Sequence, residues 1–502
     1  MKIRKNICVI IISLFAALCV SACDGTMLDI TREALLNFKS CAGIAQWARS
    51  VTTGDEESCF RSVTVAPDGS VFAAGYIRWN YEYTFGEGVT VAGPVEGGEN
   101  ALLVKYSSDG TALWAKSVIS ASDASMFNSV TVGTDGSVYA AGRISGDGTF
   151  DFGNDVTVTG KYYYNDFVLV KFNSNGVAQW AKSVNSDTDN SVFESVTLGS
   201  DGYLYAAGTI DGTVQFDLGN GVTVQGGNSN ENILLVKYST DGTPLWAKSV
   251  ITGPSYSFFY SVTTGKDGSV YAAGSIDSTG EFNFGNGVTA AGKFGKNIVL
   301  VKYGSDGTAL WAKSVTTGPS YSYFNSVTTG EDGSVYAAGD IDGTGEFNFG
   351  NGVTAAGNND SENIVLVKYR SDGTALWAKS VTTAPGNSIF YSLTADREGA
   401  LYAAGHIDGT GEYDFGNGAT VSVTNNYYSI LLVKYNSAGT ALWARSVTSG
   451  EYESLLESVA VHTDGSVHAA GSIYMTTDYD FGNGATVSGS NITKNVLLIQ
   501  YR

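Results

Sequence analysis

Three histidines, five cysteines and 49 carboxylates are the side chains with which this chain could do acid–base, nucleophilic or metal chemistry. His406, His462 and His468 each stand at a different place in the local sequence pattern, so a histidine metal site or a nucleophilic triad has little to draw on. His468 takes the place of a core tyrosine and reads as a packed substitution. Carboxylates are plentiful, and a glycosidase needs only two; Glu82, Asp147 and Asp408 fall on candidate loops. Asp211, Asp277, Asp342 and Asp408 follow apolar segments in Gly-rich stretches, with Glu281, Glu346 and Glu412 shortly after three of them. Such oxygen ligands could bind Ca²⁺, but the tight Asp-x-Asp-x-Asp-Gly of a calcium loop is missing. Turn-forming Asp and solvated Glu are therefore expected, with no required cofactor. No phosphate loop or dinucleotide fingerprint occurs, and the Gly-Asn-Gly triplets read as hairpin turns.

Recognition is the other chemistry on offer. Arg61, Arg78, Trp79 and Tyr81 stand close together early in the chain, and Arg143 follows one unit later. Tyr256, Phe258 and Tyr260 occupy one later segment, Tyr321 and Tyr323 another, with Tyr162, Tyr163, Tyr164, Tyr427 and Tyr428 in longer loops. Tyrosines among Ser, Gly and Asn make adaptable contact surfaces for proteins or sugars, and arginines beside a Trp make a candidate recognition patch. The formal net charge of −20 argues against nucleic acid and points to divalent cations, basic proteins or neutral glycans.

A repeat positions these residues. Trp47, Trp114, Trp180, Trp246, Trp311, Trp377 and Trp443 recur at intervals of 67, 66, 66, 65, 66 and 66 residues. In the fifth unit, Phe324 to Gly330, Ser334 to Gly339, Asn363 to Tyr369 and Ala375 to Val381 read as four strands with tight turns at Asp332-Gly333 and Asp372-Gly373. The Ala-Ala-Gly of each second strand leaves room for the bulky Phe of a first strand and the Trp of a fourth. Each Trp is expected to be buried, at a cost of about 3–5 kcal/mol when truncated to Ala. Register lysines such as Lys105, Lys171 and Lys237 read as scaffold, their heads paired with turn carboxylates. The chain starts its repeats on a lone fourth strand, Gly43 to Val51, and ends on a third strand, Asn495 to Tyr501, so one can complete the other.

The segments Asp-Gly-Ser-Val-Tyr-Ala-Ala-Gly and Val-Leu-Val-Lys-Tyr-Ser-Ser-Asp-Gly-Thr-Ala-Leu-Trp-Ala-Lys resemble the bacterial seven-bladed β-propeller repeat family over residues 44–502. The resemblance implies an all-β fold of seven blades, four antiparallel strands each, and the two half-blades have the N-terminal strand close it. It implies no activity. The turn Ser108-Asp109-Gly110-Thr111 is partly similar to the Asp-box of sialidase propellers, but Trp114 stands two residues too far along, and the turn reads as structural.

Residues 1–22 read as a secretory signal, with a basic start and an apolar run from Ile7 to Val20. Cys23 after Val-Ser-Ala resembles a bacterial lipobox, which makes Cys23 the lipidation site and residues 23–43 a tether. Loss of Lys2, Arg4 and Lys5 with the signal takes the charge from −20 to −23. Cys41 and Cys59 are expected to be free or buried thiols, since a strand separates them. The expectation is an exported monomer, lipid-anchored to the cell envelope, that binds a protein or carbohydrate without catalysis. A glycoside hydrolase or lyase using rim carboxylates is the alternative.

Overall fold

The computed structural model describes residues 43–121, 123–161, 164–184 and 190–502. The signal segment, Cys23, most of the tether, Cys41, Tyr162 and Tyr163 lie outside the described residues. Among the described residues no helix is long and apolar enough to cross a membrane.

Four antiparallel strands form the first blade: β2 (Ser58–Val65), β3 (Val71–Arg78), β6 (Glu99–Tyr106) and β7 (Ala112–Ser117). A short hairpin, β4 (Glu82–Thr84) and β5 (Thr90–Ala92), is inserted between β3 and β6. The unit recurs, making seven blades of a β-propeller. In the last blade the outer strand is β1 (Ala45–Arg49), paired with Lys494–Tyr501. Ile44 and Arg502 exchange backbone hydrogen bonds of 2.9 and 3.0 Å, so the ring closes as the two half-blades require. First strands touch first strands of neighbouring blades all round the ring, so they are innermost and line the central channel.

Two rings of serines tie blade to blade. Ser62, Ser129, Ser195, Ser261, Ser326, Ser392 and Ser458 each accept, at 2.9–3.2 Å, a backbone N–H from the innermost strand of the next blade. Ser58, Ser125, Ser191, Ser257, Ser322, Ser388 and Ser454 accept one, at 3.0–3.1 Å, from the third strand of the preceding blade. Without its serine each buried N–H would be orphaned, a cost of about 1–3 kcal/mol.

The Ala-Ala-Gly segment divides its labour. Ala74 gives the inter-blade core space for Phe127 of the next blade. The glycine serves its own blade, because each first strand carries a β-bulge opposite it. A methyl group on Gly75 would lie 1.9 Å from the Cys59 carbonyl oxygen, and the other six blades give 1.9–2.1 Å. Only glycine admits the bulge.

The tryptophans are less buried than the sequence implies. Only Trp47 and Trp443 are fully covered, and the other five are half-buried at the outer edge, each lying against the third turn of the next blade. Truncation of those five should cost less than the full buried-aromatic value. Trp114 Nε1 and Lys105 Nζ both donate to the Ser174 carbonyl, at 3.3 and 3.2 Å. Lys237, Lys302 and Lys368 repeat the contact and also reach Asp201, Asp267 and Asp332 at 3.1–3.4 Å. In the last blade Gln500 replaces the lysine and donates to the Ser108 carbonyl, 3.3 Å away. His468 is buried against Trp47, 5.8 Å between centroids, as a packed substitution should be. The Gly-Asn-Gly triplets close the small hairpins in left-handed conformation, and Asn220 Nδ2 ties its hairpin to the outer strand through the Pro244 carbonyl at 3.2 Å. Asp109 caps its turn by accepting from the Thr111 N–H at 3.1 Å.

Candidate ligand site at the channel mouth

The bulge decides where unlike residues appear. By lodging one extra residue in the innermost strand, it frees that residue from pairing and presents it to the channel. The seven are Arg61, Asn128, Glu194, Tyr260, Asn325, Tyr391 and Glu457, and no two neighbouring blades share a type. Next to them on the second strands stand Tyr76, Arg143, Thr209, Ser275, Asp340, His406 and Ser472, again varied. First strands begin, second strands end and third strands begin at this end of the blades, so it is the variable mouth.

Blades one, two and seven form a basic side whose cations are paired. Arg61 Nη1 meets Glu457 Oε1 of the neighbouring blade at 3.2 Å, and Arg143 meets Glu99 at 3.1 Å. Glu57 holds Arg78 at 3.2 Å and Lys494 at 3.5 Å, and accepts the Tyr76 hydroxyl at 2.5 Å. Burial works against the Arg61 charge, but Glu457 together with Cys59, Tyr76 and Glu194 outweighs it, and the guanidinium stays protonated. Burial raises Glu194, two blades away, while Arg61 and Arg143 pull it back down.

Blades three to six form an acidic and aromatic side. Asp340 is only 4% exposed; Asn325 Nδ2 donates to its Oδ1 at 3.1 Å. Burial lifts its carboxyl well above the usual range, and the charges of Glu362 and Asp342 lift it further against the Asn325 bond. Glu362 is raised by burial, then by Asp342 and Asp408, and Glu231 by burial and Asp211. Tyr256, Phe258 and Tyr260, alternate residues of one strand segment, stack their rings at 6.2 and 5.8 Å and within 10° of parallel. Lys296 Nζ sits 5.8 Å from the Phe258 ring and 5.6 Å from that of Tyr323. His406, 4% exposed, lies between Tyr391 at 5.5 Å and Tyr428 at 4.4 Å. Its Nδ1 has no hydrogen-bond partner among the described residues, and burial lowers the imidazole to about 4, so the ring is neutral.

The residues singled out by sequence scatter differently from expectation. Arg61 is on an innermost strand, not a rim loop, because the bulge turns it into the channel. Arg143 belongs to the strand Val138–Ser145 and matches Tyr76, so it also lies inside; the counterpart of Arg78 is Ser145. Arg78, Trp79 and Tyr81 stay on the rim of blade one, the two rings stacked at 6.1 Å. Trp79 has a φ of 63° at a place where four other blades use glycine, an uncommon conformation for a bulky residue. Tyr256 and Tyr321, 40% and 42% exposed, stand across the ring on blades four and five. Glu82, at the start of the small-hairpin strand β4, and Asp147 are exposed. Asp408 instead caps a connector, accepting from Asn387 N at 2.6 Å and Nδ2 at 3.0 Å, while Asp211 accepts from Asn190 at 2.8 Å. Among the described residues no three His, Cys, Asp or Glu side chains converge as a metal site, and Glu281, Glu346 and Glu412 point outward on the small hairpins. Cys59 is a free thiol sealed beside Tyr76 and Met126, and burial pushes it up to about 12.

Sequence reasoning missed Asp340 and the serine rings. The signal for Asp340 was its register: it replaces the Ser, Thr, Tyr, Arg or His of the other blades on an otherwise uniform strand.

No protein-family model matches the chain, and no curated relative does. Among solved structures the chain is similar to a streptogramin B lyase, at 11% identity, over 91% of this chain and 98% of that one, TM-score 0.42. It is similar to the WD40 repeats of RRP9 at 9% identity, over 92% and 99%, TM-score 0.46. A polysaccharide lyase PL25 ulvan lyase, bound to -[GlcA(1-4)Rha3S]-, is 9% identical over 84% and 93%, TM-score 0.41. At such identities and scores the likeness carries nothing about activity.

Proposed function

We propose that the propeller is a binding module that takes a carbohydrate at the channel mouth. One observation carries this reading: the bulge places Arg61, Asn128, Glu194, Tyr260, Asn325, Tyr391 and Glu457 around the channel, no two neighbouring blades alike, directly beside serines that are the same in every blade. Stacked Tyr and Phe faces suit sugar rings, and Asn325, Ser275 and neutral His406 suit hydroxyl groups. The signal-like residues 1–22 and the lipobox-like Cys23 support export and attachment to the cell envelope. Titration with a panel of soluble oligosaccharides tests the reading. Binding by the native protein that Tyr260→Ala weakens tenfold or more supports it, and no binding across the panel refutes it.

A catalytic reading rests on Asp340, a buried carboxyl whose proton affinity burial and two further acids raise, the type of group a glycosidase uses as general acid. Product release that Asp340→Asn abolishes supports this second reading; an inert protein excludes it.

A further inference from the structure

The two sides of the mouth differ in how their charges are met. On the basic side every arginine has a carboxylate partner within 3.2 Å. On blades three to six the carboxyls of Glu231, Asp340, Asp342 and Glu362 have no ion pair among the described residues; burial raises the proton affinity of all four, and neighbouring carboxylates add to it at Asp340 and Glu362 and, against Lys296, at Glu231. A crowd of this kind is relieved by a cation from outside. The aromatic groups beside it already hold one: the Lys296 ammonium lies over both Phe258 and Tyr323. Ring faces that accept an ammonium at 5.6–5.8 Å have cation–π geometry. Asp340 stands in register opposite Tyr323, and Asp342 opposite Glu362, so rings and carboxylates border the same opening. His406, buried on the adjoining blade, adds a polar Nδ1 that has no hydrogen-bond partner among the described residues.

We infer that the ligand of this mouth is a glycan bearing free amino groups, seated with an ammonium among Phe258, Tyr323, Asp342 and Glu362. The inference rests on the carbohydrate reading above and sharpens it. In the unliganded protein Lys296 fills the place of the ligand's ammonium. Uronate or sulfated glycans are repelled by the same carboxylates, and neutral glycans gain only the stacking.

Calorimetric titration of the full chain with glucosamine hexamer, N-acetylglucosamine hexamer and galacturonate hexamer at moderate salt tests it. The expected order is amine over acetylated by tenfold or more, with no binding of the uronate. Glu362→Gln should weaken the amine hexamer at least fivefold and leave the acetylated hexamer unchanged. Lys296→Ala, which clears the ring faces and removes a like charge, should tighten the amine hexamer severalfold. Equal affinity for the amine and acetylated hexamers, or an amine affinity unaltered in both variants, overturns the inference while the carbohydrate reading stands. Preference for the uronate overturns it too. Absence of binding by all three hexamers and by the wider oligosaccharide panel removes the carbohydrate reading, and this inference with it.

Discussion

Residues 61 and 62 are neighbours on one strand and belong to two different economies of sequence. Ser62 and its six counterparts are identical, because each closes the same hydrogen bond to the next blade. Arg61 and its counterparts change from blade to blade, because the bulge has released them from pairing and the channel does not require any one side chain. One covalent bond therefore separates scaffold from site. A closed repeat can diversify its mouth without altering its blades, provided the glycine opposite the bulge is kept.

Breaking the ring gives the largest expected effect. Deletion of Ile44 to Ser50 removes the strand that completes the last blade and leaves Lys494–Tyr501 as an open edge. Cooperative unfolding should give way to a broad transition in calorimetry, and a sharp transition at the native temperature would contradict closure by β1. Gly208→Ala comes next, since its methyl group would stand 1.9 Å from the Val192 carbonyl oxygen. A loss of about 3 kcal/mol in denaturant unfolding is expected, the upper end for overpacking. Unchanged stability would mean that the bulge is dispensable.

Protonation separates the blades by chemistry. Burial lowers His468 to about 4 against Asp464, which raises it, so the folded protein prefers the neutral ring. Its contribution is full above pH 6.5, falls as pH drops from 6.5 to 4, and changes no further below. At 1.36 kcal/mol per unit the loss approaches about 3 kcal/mol. His468→Tyr, the tyrosine that four of the other blades' second strands and Tyr402 carry here, should flatten unfolding midpoints between pH 7 and 4.5. An unchanged slope would place the acid sensitivity elsewhere. Trp79→Gly gives the smallest effect: relief of the positive φ, about 1–2 kcal/mol, is offset by a looser unfolded chain and the lost Tyr81 stack. Stability within about 1 kcal/mol of the native protein is expected, and a larger loss would make the rim of blade one part of the scaffold.

The fold was legible because the seven tryptophans fix the period and the two half-blades state how the ring closes. Closure, the lysine clamps and the packed His468 follow from those patterns. The site was legible only in part. Alternation along a strand has period two, and a bulge shifts it by one, so the direction in which Arg61 points could not be read from its place in the first strand. Arg143 corresponds to Tyr76 and not to Arg78, an offset of two residues on the second strand that only the pairing with Met126 fixes. Burial of a carboxylate is a tertiary property: register on the second strand sets Asp340 apart from the exposed Glu82 and Asp147, but its burial against Asn325, Asp342 and Glu362 exists only in the folded chain. The tryptophans, the strongest pattern in the sequence, lie at the outer edge, far from the mouth.

The most direct test takes the adjoining residues of blade three, Glu194 and Ser195, and measures denaturant stability and oligosaccharide affinity on both single variants. Ser195→Ala orphans the Val262 N–H and should lose about 1–3 kcal/mol of stability while binding the glucosamine hexamer like the native protein. Glu194→Gln should keep its stability and change that affinity at least threefold. The account is contradicted if the serine variant loses affinity at native stability, or if the glutamine variant unfolds more easily and binds as before.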